Sequence, residues 1–142
     1  MRDFNNKLFE KILEQVNDKN SAVVKTHIGE SEFTSLLYFL IKKFYYPVIV
    51  DDYPFEIFDK RSLLEALYYQ AKLITVHDLN WDATQEGLND ALNNFLEFNG
   101  IILLFRRGEG LKSKLPAEFK MLFEIVQEIN KQSAQKKIKI LL

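Results

Sequence analysis

Residues 101–105 read IILLF, five apolar residues without one polar position. A half-exposed strand alternates apolar and polar side chains, whereas an uninterrupted apolar run is typical of a strand that is covered on both faces. The stretch YYPVIVDD at residues 45–52 reads in the same way, and KIKILL at residues 137–142 is predicted as a third strand. Buried strands of this kind belong to parallel sheets, so the three stretches predict the centre of an α/β fold.

Helical patterns fill the sequence between these strands. Asp59 is predicted to cap a helix that carries Leu63, Leu64, Leu67 and Ala71. A helix from Asn80 to about Leu96 is expected to end before Gly100, and Pro116 suits the first turn of a long helix to about Gln132. The charged stretch at residues 106–114 is predicted to be a loop. This order of elements predicts a small, mainly parallel sheet of three or four strands covered by helices.

The first 46 residues are predicted to form a helix, a strand and a helix. Apolar residues recur at helical spacing over residues 3–17, residues 22–28 are rich in β-branched side chains, and Ser31 can cap a helix to about Lys43. We therefore expect an N-terminal extension at residues 1–46 and a main domain at residues 47–142. The pattern leaves open whether the extension adds a strand to the sheet or packs as a separate layer.

Composition narrows the class of protein. The 142 residues are 47% hydrophobic and 27% charged, as in a soluble globular protein, and no apolar run reaches the 18 residues of a membrane span. The first residues lack the apolar core of a signal peptide. There is no cysteine, and hence no disulfide or thiolate chemistry. These features predict a cytoplasmic protein that does not act on a membrane.

The net charge of −1 hides an uneven distribution. Residues 73–105 contain no Lys or Arg and five acidic residues, whereas the rest of the chain carries 19 basic and 15 acidic side chains. The basic doublets in the rest of the chain are scattered rather than gathered with aromatic residues, so direct binding of nucleic acid is not expected. One acidic segment on a mildly basic body is instead typical of a surface that meets a basic partner.

Four acidic residues in this segment recur at every fourth position, at Asp78, Asp82, Glu86 and Asp90. On a helix they rise from nearly one side, and like charges at this spacing repel. The helix dipole favours an anion in the first turn, which accounts for Asp82 but does not reach Glu86 or Asp90. Gly87 is interpreted as a bare position that permits close approach by a partner. An ordinary solvated acidic face is the alternative interpretation.

Catalytic patterns are weak. The two histidines, His27 and His77, are far apart in sequence, and neither an HExxH motif nor a phosphate-binding glycine loop is present. The remaining enzyme hypothesis is a small hydrolase that uses Asp51, Asp52 or His77, and it requires those side chains to converge in one pocket. We therefore predict a protein without catalytic residues, metal or cofactor.

Several motifs together resemble the barstar-like family of ribonuclease inhibitors. They are LNWDATQEGLNDAL at residues 79–92, GIILLF directly before residue 106, LPAEFKMLFEIVQEI at residues 115–129, and the closing IKILL. The resemblance covers about residues 47–142. It implies a three-stranded parallel sheet with covering helices, and an acidic helix that enters the active site of a basic ribonuclease.

The resemblance also implies which residues bind. Asn80 and Asp82 match the Asn-x-Asp-Ala motif that opens the acidic helix, Glu86 stands where the family has its key aspartate, and Glu128 stands where it has a further contacting glutamate. Gln85 replaces a tryptophan of the family, and Val76 or His77 replaces an aromatic residue, which leaves open a different but still basic partner. The predicted partner-binding residues are Asp78, Asn80, Asp82, Glu86, Asp90 and Glu128.

Two functions follow from these observations. The first is an immunity protein that blocks a basic toxin, a ribonuclease encoded nearby, as in a toxin–antitoxin pair. The alternative is a barstar-fold interaction module that does not inhibit a nuclease and binds another protein through its aromatic N-terminal region. The position of the acidic residues and the exposure of the aromatic residues from Phe44 to Tyr53 discriminate the two.

Overall fold

The structure is a computed structural model that describes residues 2–18, 21–26, 29–51, 56–73, 79–94, 97–133 and 136–142. The strands are β1 (Val23–Val24), β2 (Tyr45–Val50), β3 (Gly100–Phe105) and β4 (Lys137–Leu141). The helices are α1 (Arg2–Asn17), α2 (Glu30–Lys42), α3 (Lys60–Ala71), α4 (Trp81–Asn94), α5 (Gly108–Lys114) and α6 (Pro116–Gln132). All strand pairs are parallel, and the sheet has the order β1-β4-β3-β2. The predicted α/β class and the parallel sheet are confirmed.

Strand β3 lies between β2 and β4, and all six of its residues are buried. Its side chains alternate between the two faces of the sheet, so that Leu103 packs in one core and Leu104 in the other. Helices α3 to α6 cover the first face, and α1 and α2 cover the second. The uninterrupted apolar run therefore reflects burial on both faces, as predicted.

The N-terminal residues both extend the sheet and add a layer. Val23 pairs with Ile140 and Val24 with Leu141, which makes β1 the outer neighbour of β4. Of the described residues in the predicted strand 22–28, Val23 and Val24 form the assigned strand β1, and the Leu142 N–H donates to the Val24 carbonyl while the Thr26 N–H and hydroxyl donate to the Leu142 carbonyl, so the pairing continues as far as β4 does. Residues 27–28 lie outside the described residues. The division into an extension at 1–46 and a domain at 47–142 stays a prediction.

A buried lysine joins this region to the sheet. Lys139 of β4 faces the second core and is only 2% exposed, and its ammonium donates hydrogen bonds to the backbone carbonyls of Asp18 and Ser21. Burial lowers the pKa of Lys139, and the nearby Asp18 carboxylate opposes that shift. Asp18 and Ser21 are thus held to β4 by a charged group whose solvation is replaced by main-chain oxygens.

Helix α3 begins as predicted. The Asp59 carboxylate accepts from the Ser62 backbone N–H at 2.8 Å, and the Ser62 hydroxyl in turn accepts from the Asp59 N–H at 3.0 Å, which forms a reciprocal cap. The four predicted core residues of α3 are all buried. The hydrogen bonds from Ser62 lower the pKa of Asp59.

This cap predicts a pH effect on folding. The contribution of a carboxyl group with a lowered pKa is present above its unfolded pKa and is lost as the pH falls through the folded value. Asn caps helices as well as Asp but does not titrate. In the variant Asp59→Asn, the free energy of unfolding measured in urea should therefore fall less between pH 7 and pH 3 than in the wild type. Equal losses in the two proteins would contradict the role given to Asp59.

One predicted boundary is wrong. Helix α2 begins at Glu30 rather than after Ser31, because Gly29 is its extended N-cap and the Gly29 carbonyl accepts from the Glu32 N–H at 3.1 Å. Helix α4 ends before Gly100, as expected, and Gly100 begins β3. An added Cβ at Gly100 would lie 2.4 Å from the Lys137 carbonyl oxygen, so the close approach of β4 explains the glycine.

The predicted loop at residues 106–114 contains helix α5. Two glycines lower the helix propensity of this stretch, and a sequence pattern weighs that cost without the tertiary contacts that offset it. Leu111 is buried in the first core, and a Cβ at Gly108 would lie 2.9 Å from the Leu142 side chain. Packing against the sheet therefore stabilises a helix that local propensity disfavours.

Within the described ranges, no helix is long and apolar enough to cross a bilayer.

Candidate partner-binding groove

Helix α4 starts at an asparagine cap. The Asn80 Oδ1 atom accepts from the Ala83 backbone N–H at 2.7 Å, and the Thr84 hydroxyl donates to the Asn80 carbonyl at 2.8 Å. The cap satisfies an amide of the first turn that has no partner within the helix. Asn80 itself is exposed, and its position in the motif is explained by this structural role.

Removal of the cap should destabilise the protein modestly. Loss of an N-cap side chain costs about 1 kcal/mol. We expect Asn80→Ala to lower the free energy of unfolding by about this amount in urea denaturation, whereas Asn80→Ser retains the acceptor and should lose less. The matched control is Asn93→Ala, an exposed position near the other end of α4. An equal loss in the control variant would show that the cap is not the cause.

A tryptophan fixes α4 against α6. Trp81 packs half-buried on the first core, and its indole N–H donates to the Glu118 Oε2 atom at 3.3 Å. Glu118 lies in the first turn of α6. The contact therefore sets the relative position of the two helix N-termini, and with it the surface that follows along both helices.

A shallow groove of about 320 Å³ lies between α4 and α6. It is lined by Asp82, Gln85, Glu86 and Asn89 of α4 and by Ile129 and Gln132 of α6. Asp82 and Glu86 are exposed. Within the described part of the chain, neither carboxylate has an ion pair or a hydrogen bond. Two uncompensated charges one helical turn apart thus face the same opening.

The other predicted binding residues lie around the groove or beyond it. Glu128 is exposed and accepts a hydrogen bond from the Gln132 amide at 3.2 Å, so a residue of the groove connects it to the site. Asp90 is half-buried and does not line the groove, since each fourth residue turns about 40° further around a helix. Asp78 lies outside the described residues.

The interpretation of Gly87 as a bare surface position is wrong. Gly87 is buried, on the same side of α4 as Thr84, Leu88 and Leu92. Because it lies three residues after Thr84 and next to Leu88, Gly87 belongs to the buried side of the helix. The sequence shows that Gly87 neighbours Glu86, but it does not show which of the two residues faces the core. Gly87 therefore serves the packing of α4.

Three carboxamides of the groove were not predicted as site residues. Gln85 and Asn89 follow Asp82 at three and seven residues, which places all of them on one helical face with Glu86. That spacing is visible in the sequence. Gln132 comes from another helix, and only the packing of α4 on α6 brings it to the groove.

Of the three residues named in the hydrolase hypothesis, the structure describes Asp51. The Asp51 carboxylate pairs with Arg106 at 3.2 Å and with Arg107 at 3.5 Å, so its charge is compensated. Asp52, His27 and His77 lie outside the described residues. Both arginines of the doublet therefore lie beside a strand-end carboxylate, Arg106 through its Nε atom and Arg107 through a terminal nitrogen.

The fold and the groove define a class: a small parallel α/β protein with two exposed carboxylates in a groove between helices. The family model described as Barstar (barnase inhibitor) matches residues 55–142. The chain belongs to the barstar family, which confirms the predicted resemblance and gives the chain a barnase-inhibitor-like role in general. Neither a curated protein nor a solved structure matches the chain.

Proposed function

We propose that this protein is a non-catalytic, cytoplasmic immunity protein that blocks a basic ribonuclease toxin encoded nearby. The observation that carries the proposal is the pair of exposed carboxylates, Asp82 and Glu86, which share one groove and lack a cationic neighbour among the described residues. Family membership supports the nuclease as the partner.

The physical basis is charge complementarity. A ribonuclease binds phosphates with basic side chains, and carboxylates held one turn apart on a rigid helix can occupy the same positions. Helix α4 is anchored by the Asn80 cap and by the contact between Trp81 and Glu118, so the carboxylates need little ordering on binding. Complementary fields also speed association and disfavour partners of the wrong charge.

The remaining residues have graded roles in the proposal. Glu128 extends the acidic surface onto α6 through its hydrogen bond with Gln132. Asp90 adds to the field of α4 from beside the groove, Asp78 adds charge in the segment before the helix, and Asn80 shapes the helix entrance. Asp82 and Glu86 are expected to contribute most.

The test is co-expression of the chain with the ribonuclease encoded beside it. Growth should be restored by the chain, and the purified pair should elute as one complex. Ribonuclease activity on a fluorescent RNA substrate should fall in proportion to the inhibitor added. Growth arrest and undiminished nuclease activity in the presence of folded protein would overturn the proposal.

A second candidate function rests on an apolar surface of α2. Tyr38, Ile41 and Phe44 are 61%, 41% and 63% exposed, and Phe44 has a left-handed backbone with φ of 64°. Such a conformation costs a residue with a Cβ about 1–2 kcal/mol. These residues favour an interaction module that binds another protein through this surface. If Phe44→Ser abolished a cellular interaction that Asp82→Ala left intact, the module would replace the inhibitor.

A further inference from the structure

A second cleft of about 500 Å³ opens at the carboxyl ends of the strands. Its residues lie at the end of β3, directly after β3 and β4, between β1 and α2, or in α2 and α5. They include Thr26, Phe33, Leu104, Arg106, Gly110 and Leu142. The cleft shares no lining residue with the groove between α4 and α6. A cavity of this size is within the range of small-molecule sites.

The sheet topology explains why an opening exists there. The connection after β1 leads to α2 on the second face, whereas the connection after β3 leads to α5 and α6 on the first face. Strands β1 and β3 flank β4, and their connections leave the sheet in opposite directions. Such a divergence leaves a crevice outside the carboxyl ends of the strands, and ligands of α/β proteins bind in crevices of this kind.

Arg106 gives the cleft a directed hydrogen-bonding group. Its guanidinium lies 4.4 Å from the centre of the Phe33 ring, and its Nε atom lies 3.2 Å from Asp51. Stacking and ion pairing on two sides fix the plane of the guanidinium. Among the described residues, the two terminal nitrogens of Arg106 have no hydrogen-bond partner. This rigid pair of donors matches the two oxygens of a carboxylate or a phosphate.

The rest of the lining limits the ligand. Arg106 and Arg107 are balanced by Asp51 and Glu109, so the cleft does not carry the large positive charge that a polyanion requires. Its walls are largely apolar, with Phe33, Leu104, Phe105 and Leu142. The complementary molecule therefore has one oxyanionic group on a compact apolar body.

We propose that this cleft binds a small organic oxyanion, with Arg106 as the residue that holds its charged group and the apolar walls as the site for its body. Carboxylates and phosphate monoesters share this chemistry, and the choice between them is an arm of the experiment. The site is independent of the proposed binding of a ribonuclease by α4.

The test is a titration of the full chain, followed by the backbone amide signals in two-dimensional NMR spectra. The probes are phenylacetate, phenyl phosphate and, as the neutral isostere, phenylacetamide. We expect saturable shifts at Thr26 and at residues 105–110 with one or both anions, and no saturable shift with the amide. The tighter of the two anions identifies the oxyanion. Equal shifts with the amide, or no shift with any probe, would overturn the proposal.

Two variants and a control test the assignment of residues. Arg106→Gln should weaken binding of the anion about tenfold or more, since a charged hydrogen bond is lost. Gly110→Phe should abolish binding without removing any contact, because no atom lies within 4 Å of a Cβ at Gly110. The control Arg61→Gln removes an exposed arginine of α3 and should bind normally. Thermal unfolding verifies that each variant is folded, and unchanged binding in folded Gly110→Phe would place the ligand elsewhere.

Discussion

Replacement of both Asp82 and Glu86 by alanine should raise the Kd for the partner ribonuclease by at least about a hundredfold. Both carboxylates are exposed, lie in one groove and have no cation beside them among the described residues. A central charge that meets a basic site is typical of residues whose truncation costs about 2 kcal/mol or more. The effect is measured by titration calorimetry of the purified pair at low and high salt. We expect the wild-type affinity to fall with salt more steeply than that of the double variant.

The control removes the same charge elsewhere. Glu10 and Glu14 are exposed on α1, which packs on the opposite face of the sheet. The double variant Glu10→Ala and Glu14→Ala should bind within about twofold of the wild type, because screening weakens distant charges. The variant Asp82→Asn and Glu86→Gln keeps the shape of the groove and should lose nearly as much affinity as the alanine variant. An affinity that these isosteres preserve would show that shape, rather than charge, makes the contact.

Two identical substitutions should have opposite effects on stability. In Gly100→Ala the new Cβ would lie 2.4 Å from the Lys137 carbonyl oxygen, and the backbone of β3 or β4 must shift to relieve the clash. Overpacking of this kind costs about 1–3 kcal/mol. In Gly110→Ala the Cβ meets no atom within 4 Å, and alanine is the better helix former by about 1 kcal/mol.

Urea unfolding of the two glycine variants measures this difference. The midpoint should fall for Gly100→Ala and rise for Gly110→Ala, with similar slopes if both unfold in one step. Because each variant adds one methyl group, the comparison cancels the general effect of replacing glycine. A Gly100→Ala midpoint equal to that of the wild type would mean that the Lys137 carbonyl oxygen lies farther from Gly100 than the 2.4 Å contact requires.

The sequence predicted those parts of the fold in which a local residue pattern is enough to indicate burial or the start of a helix. The run at residues 101–105 and the cap at Asp59 each combine a local pattern with a matching tertiary role, and both predictions are confirmed. The errors occurred where tertiary contacts override local propensity. Helix α5 forms through the burial of Leu111 despite two glycines, and β1 ends where its partner strand ends. Neither the formation of α5 nor the end of β1 is indicated by the local sequence.

The candidate site was predictable within one helix and less so between helices. The spacing of Asp82 and Glu86 placed both on one face of α4, and the structure brings both into the groove. Packing of α4 on α6 determines which residues of that face line the groove. Asn89 lines it, and Asp90 does not. Gln132 enters from a distant part of the chain. A periodic sequence pattern gives the angular positions of side chains around one helix axis. It does not give the position of the helix packed beside it.

The pairing of β1 with β4 has a consequence for the order of folding. Thr26, two residues after β1, bonds Leu142 across a separation of 116 residues, so β1 finds its partner only when β4 is present. Contacts this distant in sequence form slowly. During synthesis, β1 therefore lacks its partner strand until β4 has been made, and the second core lacks Leu141 until then.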